Sequence, residues 1–217
     1  MSSRDLILSR IRASLGRGGP GDTRVIDSHL ETGPRGPASE GAWRDSKEGI
    51  VQRFSERAAA LSSTVERVAS WGDVPAAATA YLISRELPTR AVVWPSLAGE
   101  SWKSAGLTVE ARAARGDDLV GITGTFCAVA DTGTLMLLSG PDSPAATSLL
   151  PETHIAVVPV ERVVALMEDG FDLLRAERGE APRAVNFVSG PSRTADIEQT
   201  VTLGAHGPYR VHLILVG

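Results

Sequence analysis

Three groups of residues in this chain have the types and spacing that can do chemistry. The first is the run Ser189-Gly190-Pro191-Ser192-Arg193-Thr194-Ala195-Asp196, which follows the apolar stretch Ala184–Val188. Read as strand, small-residue turn and helix start, it offers hydroxyls from Ser189, Ser192 and Thr194. Arg193 adds a guanidinium fork for a carboxylate or phosphate. In open α/β sheets ligands gather outside the carboxyl ends of strands, where helix amino termini present unpaired N–H groups to anions. The same residues also suit an ordinary capped helix start, with Asp196 favouring the dipole. The sequence leaves both readings standing.

The second group is Gly121-Ile122-Thr123-Gly124-Thr125 followed by Ala130-Asp131-Thr132-Gly133-Thr134. A carboxylate flanked by hydroxyls at a hairpin tip can act as a base or hold a ligand hydroxyl. Asp-Thr-Gly is equally good turn chemistry, the Asp bonding nearby backbone N–H groups. An aspartic-protease reading needs two such strings on facing lobes, and the chain has one. The third group is the histidines. His154 and His212 fall inside apolar strands and read as structural, whereas His206 sits in the loop Gly204-Ala205-His206-Gly207-Pro208, free to reach a cleft as an acid or base.

Other chemistries are excluded by counting. Cys127 is the single cysteine, so no disulfide framework, four-cysteine zinc site or all-cysteine iron–sulfur cluster can be built. Its apolar surroundings predict a buried, inert thiol. No His-x-x-x-His or His-Glu-x-x-His spacing occurs, and no metal site is expected. Lysine occurs only at Lys47 and Lys103, which leaves little for Schiff-base chemistry. Neither Gly16–Gly21 nor Gly121–Gly124 has the spacing of a phosphate loop or a dinucleotide fingerprint.

The elements that must position these groups follow from periodicity. An amino-terminal helix is predicted over residues 1–15, with Ser2-x-x-Asp5 as a capping box and Ile7, Ile11 and Leu15 on one face. A flexible linker over 16–44 follows, with seven Gly and three Pro among residues 16–42. An α/β domain then occupies 45–217. It opens with a helix capped by Asp45-x-x-Glu48 and continues with the strand Thr64–Ala69, the helix Ala76–Leu87 and the strand Ala91–Trp94. A helix–strand pair lies near Leu97–Ala105 and Leu107–Ala111. Phe126–Ala130 and Thr134–Leu138 form a hairpin with Gly133 left-handed. The strand His154–Val158, the helix Val160–Ala176, the strand Ala184–Val188, the helix Thr194–Leu203 and the strand Val211–Val216 complete the pattern. Alternating strands and helices interrupted by a hairpin predict an α/β fold with a mixed, mainly parallel sheet.

The chain of 217 residues is 42% hydrophobic and 22% charged, with a formal net charge of −4. This suits one domain with a sizeable core and argues against general nucleic-acid binding, which needs a basic face. No apolar run approaches the roughly 20 residues of a membrane span, and the amino-terminal apolar stretch is too short for a secretory signal. A soluble, cytoplasmic protein is expected.

Taken together, these segments resemble the LUD domain family and, within it, the lactate-utilization C proteins. The likeness rests on the Arg4–Arg12 helix, Gly121-Ile122-Thr123-Gly124 with Ala130–Thr134, and His154-Ile155-x-Val157-Val158-Pro159. It is completed by Ser189–Glu198 and Gly204-x-His206-Gly207-Pro208. It departs from that pattern at Ser139–Ser148, where a Gly- and Arg-rich loop is expected and Gly140-Pro141-Asp142-Ser143-Pro144 stands. The resemblance implies a three-layer α/β/α domain similar to the sugar-phosphate isomerase and CoA-transferase group. It also implies an accessory role in oxidising L-lactate to pyruvate beside iron–sulfur partner proteins, which would carry the clusters this chain lacks. On this reading a small anion sits at Ser189–Asp196, gripped by Arg193 and hydrogen-bonded by Ser192 and Thr194. Thr123, Gly124, Asp131, Thr132, Gly133, Thr134 and His206 line the same pocket, and the amino-terminal helix docks on a partner. The competing expectation is a free-standing isomerase or acyl- or CoA-transferase with Asp131 or His206 as acid–base group or nucleophile.

Overall fold

The computed structural model describes residues 3–16, 36, 39–180, 182–197, 200–203 and 206–217, with backbone alone for 194–197 and 200–203. Ser2 and most of the expected linker lie outside the described residues. The chain divides into two compact units, Met1–Pro37 and Ala38–Gly217. In the first, helix α1 (Ser3–Ser14) buries none of its residues.

In the second unit a 3-10 turn, Ala42–Asp45, leads into α2 (Lys47–Ala60). Its cap is Ser46, whose side chain accepts the Gly49 N–H at 3.0 Å, rather than Asp45. Next come β1 (Thr64–Val68), α3 (Val74–Ser84), β2 (Arg90–Val93), β3 (Thr108–Ala111) and β4 (Val120–Thr123). The helix expected near Leu97–Ala105 is two separate 3-10 turns, Pro95–Leu97 and Lys103–Ala105. Then follow β5 (Cys127–Val129), β6 (Thr134–Leu138), α4 (Ala146–Leu149), β7 (Thr153–Pro159), β8 (Val163–Val164), α5 (Met167–Arg178) and β9 (Val185–Val188). The chain closes with β10 (Arg193–Ile197), β11 (Thr200–Leu203) and β12 (Arg210–Val216).

The α/β class is as expected, but the single mixed sheet is not. Six strands in the order β1-β12-β7-β4-β2-β3 form a sheet that is parallel throughout. Mixed pairing is confined to a second sheet, β8-β5-β6-β9. The division follows from which faces must be covered. Central strands β12 and β7 are buried along nearly their whole length, as parallel strands covered on both faces are. The hairpin strands split their side chains. Ala128, Leu135 and Leu137 join the main core with Val51, Phe54 and Ala58 of α2, whereas Cys127, Met136 and Leu138 pack with Leu174 of α5. A hairpin apolar on both faces needs cover on both sides, and α2 and α5 supply it.

Two helices expected from the sequence are also corrected. The 160–176 prediction becomes a 3-10 turn, the two-residue β8, and then α5, which starts only at Met167. The predicted helix Thr194–Leu203 is instead an antiparallel pair, β10 with β11. The reason lies in composition: Thr194, Ile197, Thr200, Val201 and Thr202 are β-branched, which disfavours a helix and favours extended backbone.

Candidate functional site

The hairpin tip is pressed against the last turns of α2. Gly133 adopts φ +68°, and a Cβ there would lie 2.6 Å from the Ala58 nitrogen and 2.7 Å from the Arg57 carbonyl carbon. Only glycine tolerates both conditions. Beside it, Asp131 is a fastener. Its carboxylate accepts the Ser39 N–H at 3.3 Å and the Ser39 hydroxyl, and lies 3.9 Å from Arg53 Nη2. Its carbonyl accepts Arg57 Nε at 3.1 Å. Arg53 in turn donates to Ser39 Oγ at 3.0 Å and stacks on Trp43. Thr132 is exposed at the tip.

The second predicted group meets the same helix end. Strand β9 pairs with β6 and brings Ser189 Oγ to 2.8 Å from Thr134 Oγ1. Gly190, at φ +81°, leaves room for the Leu61 carbonyl oxygen, which a Cβ would approach to 2.4 Å. Past Pro191, the Ser192 N–H donates to the Pro208 carbonyl at 2.7 Å, and Arg193 Nη2 donates to the Ser62 hydroxyl. His206, in the loop before β12, is exposed. The side chains of Thr194 and Asp196 lie outside the described residues. Asp131, Thr134, Ser189, Gly190 and Arg193 therefore gather around α2 and the turn that ends it. They do so without a helix amino terminus, and Arg193 and Ser192 lie toward the amino ends of the parallel strands.

There Ser62, the acceptor of the Arg193 bond, is one wall of a cleft of about 180 Å3 lined also by Thr64, Tyr81, Arg85, Tyr209 and Arg210. Two arginines are held over aromatic faces: Arg85 is 5.8 Å from the Tyr81 ring centre and Arg210 is 4.3 Å from that of Tyr209. The Tyr209 hydroxyl donates to Glu152 at 2.6 Å, and that bond to a carboxylate raises the phenol pKa above its usual value. Beneath the cleft, Tyr81 stacks on His212 at 3.9 Å, and His212 Nδ1 is 2.8 Å from Thr64 Oγ1. Burial, with Arg85 nearby, pushes His212 down to about 4. No carboxylate is among the described residues lining this cleft. Ser62, Tyr81, Arg85, Tyr209 and Arg210 were not singled out from sequence. Arg210 adjoins the His206 loop and was within reach of that reasoning, while Arg85 has only tertiary structure to place it.

Thr123 and Gly124 go to the opposite end of the sheet. Thr123 is fully buried with its Oγ1 2.8 Å from His154 Nε2, which makes it a core partner. Burial holds that histidine neutral, down to about 4. Gly124 lines a separate cleft beyond β2 and β4. Cys127 is buried, and desolvation raises its thiol to about 11, far from a reactive thiolate. Lys47 donates to the carbonyls of Glu161 and Val163 at 3.1 and 2.6 Å, tying α2 to the turn before β8 and to the first residue of β8. Among the described residues no group of three or more His, Cys, Asp or Glu could hold a metal ion, and no helix is long and apolar enough to cross a membrane.

A family model described as LUD domain matches residues 101–216. The chain belongs to the LUD domain family. All the residues singled out in the Ser189 and Asp131 groups, with His206, Tyr209 and Arg210, lie inside the matched LUD domain. Ser62, Thr64, Tyr81 and Arg85 precede it, so the arginine cleft is shared between the domain match and the chain before it. Among curated proteins, Lactate utilization protein C of Bacillus subtilis is 37% identical over 133 residues, covering 56% of this chain and 55% of the relative. Lactate utilization protein C of Halalkalibacterium halodurans is 41% identical over 100 residues, covering 45% and 44%. The chain thus spans about half the length of the curated relatives it matches. A crystal structure of a DUF162 family protein from Deinococcus radiodurans superposes with a TM-score of 0.62 at 24% identity, covering 79% of this chain and 99% of that one. This last likeness concerns the fold alone.

Proposed function

We propose that this LUD domain chain is an accessory component of a lactate utilization system, binding a small anion while iron–sulfur partner proteins carry the electrons. The observation that carries the reading is the similarity to proteins named Lactate utilization protein C across about half of their length. One cysteine, buried and protonated, fits a chain that leaves cluster chemistry to others. On this reading the domain is a distant relative of the sugar-phosphate isomerase and CoA-transferase group and works in the cytoplasm.

The anion's place is the arginine cleft at the amino ends of β1 and β12. Arg193, Arg85 and Arg210 supply the positive charge, with the Ser62 and Thr64 hydroxyls beside them. Guanidinium groups held over aromatic rings lose little freedom on binding a carboxylate or phosphate group. Asp131 does not enter this step, because its carboxylate is already engaged by Ser39 and Arg53. Helix α1, with Leu6, Ile7 and Ile11 exposed, supplies the docking element for a partner.

The test is affinity capture of the tagged full chain from cells grown on L-lactate, alongside growth of a deletion strain. Co-purification of iron–sulfur proteins that weakens without residues 1–37, together with lost growth on lactate, is the expected result. Unimpaired growth and no such partner would overturn the reading.

A further inference from the structure

The arginine cleft holds more positive charge than a monocarboxylate can use. Arg85 and Arg210 line it, and Arg193 is bonded to its Ser62 wall. Among the described residues none of the three is paired with a carboxylate. Glu152 accepts the Tyr209 hydroxyl and does not line the cleft, while the buried His212 beneath is neutral. Two helix ends oppose the guanidiniums: α2 closes at Leu61, just before Ser62, and α3 closes at Arg85. Each helix carboxyl end carries about half a negative charge. Three guanidiniums against two such ends leave about two positive charges, which match the roughly two negative charges of a phosphate monoester above its second pKa. A monocarboxylate supplies half of that.

The polarity of the walls points the same way. Guanidiniums lie against both tyrosine rings of the lining, and Val211 is buried beneath it. The carbon chain of an organic acid finds no open apolar wall to lie on. A volume of about 180 Å3 is below that of pockets enclosing a whole small molecule and suits the charged end of a ligand.

Ser62 is the third observation. It follows the last turn of α2 at φ +69°, the left-handed conformation that glycine usually takes at this place in a helix end. Serine is strained there, and what it adds over glycine is a hydroxyl on the cleft wall. That oxygen accepts from Arg193, which leaves its own proton for a ligand.

Resting on the reading of this cleft as the anion's place, we propose that its ligand is a phosphoryl group, held by the guanidiniums of Arg85 and Arg210 and by the Ser62 hydroxyl. A carboxylate offers these donors two oxygens in one plane, whereas a phosphoryl group offers three that point apart.

Isothermal titration calorimetry of the full chain tests this at constant ionic strength and about pH 8, where phosphate esters are dianions. The probes are inorganic phosphate, glycerol phosphate, acetate and malonate. Both phosphates are expected to bind about tenfold or more tightly than either carboxylate. Whichever phosphate binds more tightly names the source, free ion or ester. Arg85→Gln and Arg210→Gln should each weaken the phosphates about tenfold or more. Arg178→Gln, in the cleft at the opposite end of the sheet, should change nothing. Ser62→Gly should weaken them about fivefold without lowering the thermal unfolding midpoint. Acetate or malonate binding as tightly as phosphate, and lost in Arg85→Gln, would keep the cleft as the anion's place and overturn the phosphoryl assignment. No binding of any probe, or binding untouched by Arg85→Gln and Arg210→Gln, would overturn both. A lowered midpoint with unchanged phosphate affinity in Ser62→Gly would overturn the role given to its hydroxyl.

Discussion

Asp131 shows how one residue type can suggest chemistry and serve architecture. A carboxylate at the tip of a hairpin, flanked by hydroxyls, invites a catalytic reading. Its surroundings argue otherwise: two hydrogen bonds from Ser39 and the nearby Arg53 satisfy the carboxylate, and its carbonyl holds Arg57. The side chain thus clips the chain entering the domain onto α2. Asp131→Ala is expected to lower the unfolding free energy by about 1–2 kcal/mol, because Ser39 loses its acceptor in a half-buried place. Cleavage by added protease between residues 39 and 45 should quicken. Urea titration and limited proteolysis read both, and unchanged values would contradict the fastening role. Gly133→Ala combines a left-handed backbone with a collision against α2. It should cost more, about 2–4 kcal/mol in the same titration.

At the scale of elements, α2 is the hinge on which the site depends, because the hairpin tip, Gly190 and Arg193 all meet its carboxyl end. Its other end is secured by Ser46, so Ser46→Ala should lower stability by about 1 kcal/mol in thermal or urea unfolding and leave the clefts at the two ends of the sheet intact. The sequence made much of this framework legible: α2, β1, α3, β2, the β5–β6 hairpin, β7 and β12 all announce themselves by apolar period and turn residues. The misses have physical causes. Strand β4 is four residues long and contains Gly121, so its pattern is too brief to read. Residues 194–203 carry both cap-like residues and β-branched ones, and pairing between β10 and β11 decides for the strand. Of the candidate site, the meeting of Thr134 with Ser189 lay within motifs the sequence displays. Arg85 and Arg210 join Arg193 only because α3 and β12 are folded beside the turn after α2, which no local pattern records.

Across the whole molecule, the two buried histidines set the response to acid. His154 lies on β7 and His212 on β12, neighbouring strands at the middle of the six-stranded sheet. Each is neutral in the folded state, with burial pushing its pKa from 6.5 down to about 4. Unfolding exposes both to water, where they take up protons at ordinary pKa. Above pH 6.5 neither state is protonated and the histidines do not influence stability. Between pH 6.5 and about 4 the unfolded chain binds protons that the folded chain refuses. Stability therefore falls as pH drops, by up to about 1.4 kcal/mol per pH unit for each histidine. Below about 4 this contribution stops growing, and the paired carboxylates Asp118 and Glu177, whose pKa values are lowered by their arginine partners, take over the loss. Urea unfolding at pH 7.5, 6.5, 5.5 and 4.5 should show a flat upper limb and then a steepening decline. In His154→Gln and His212→Gln the decline should be shallower, whatever each substitution does to stability at pH 7.5. A decline beginning only below pH 4.5, or one unchanged in both variants, would place the acid sensitivity outside the core of the sheet.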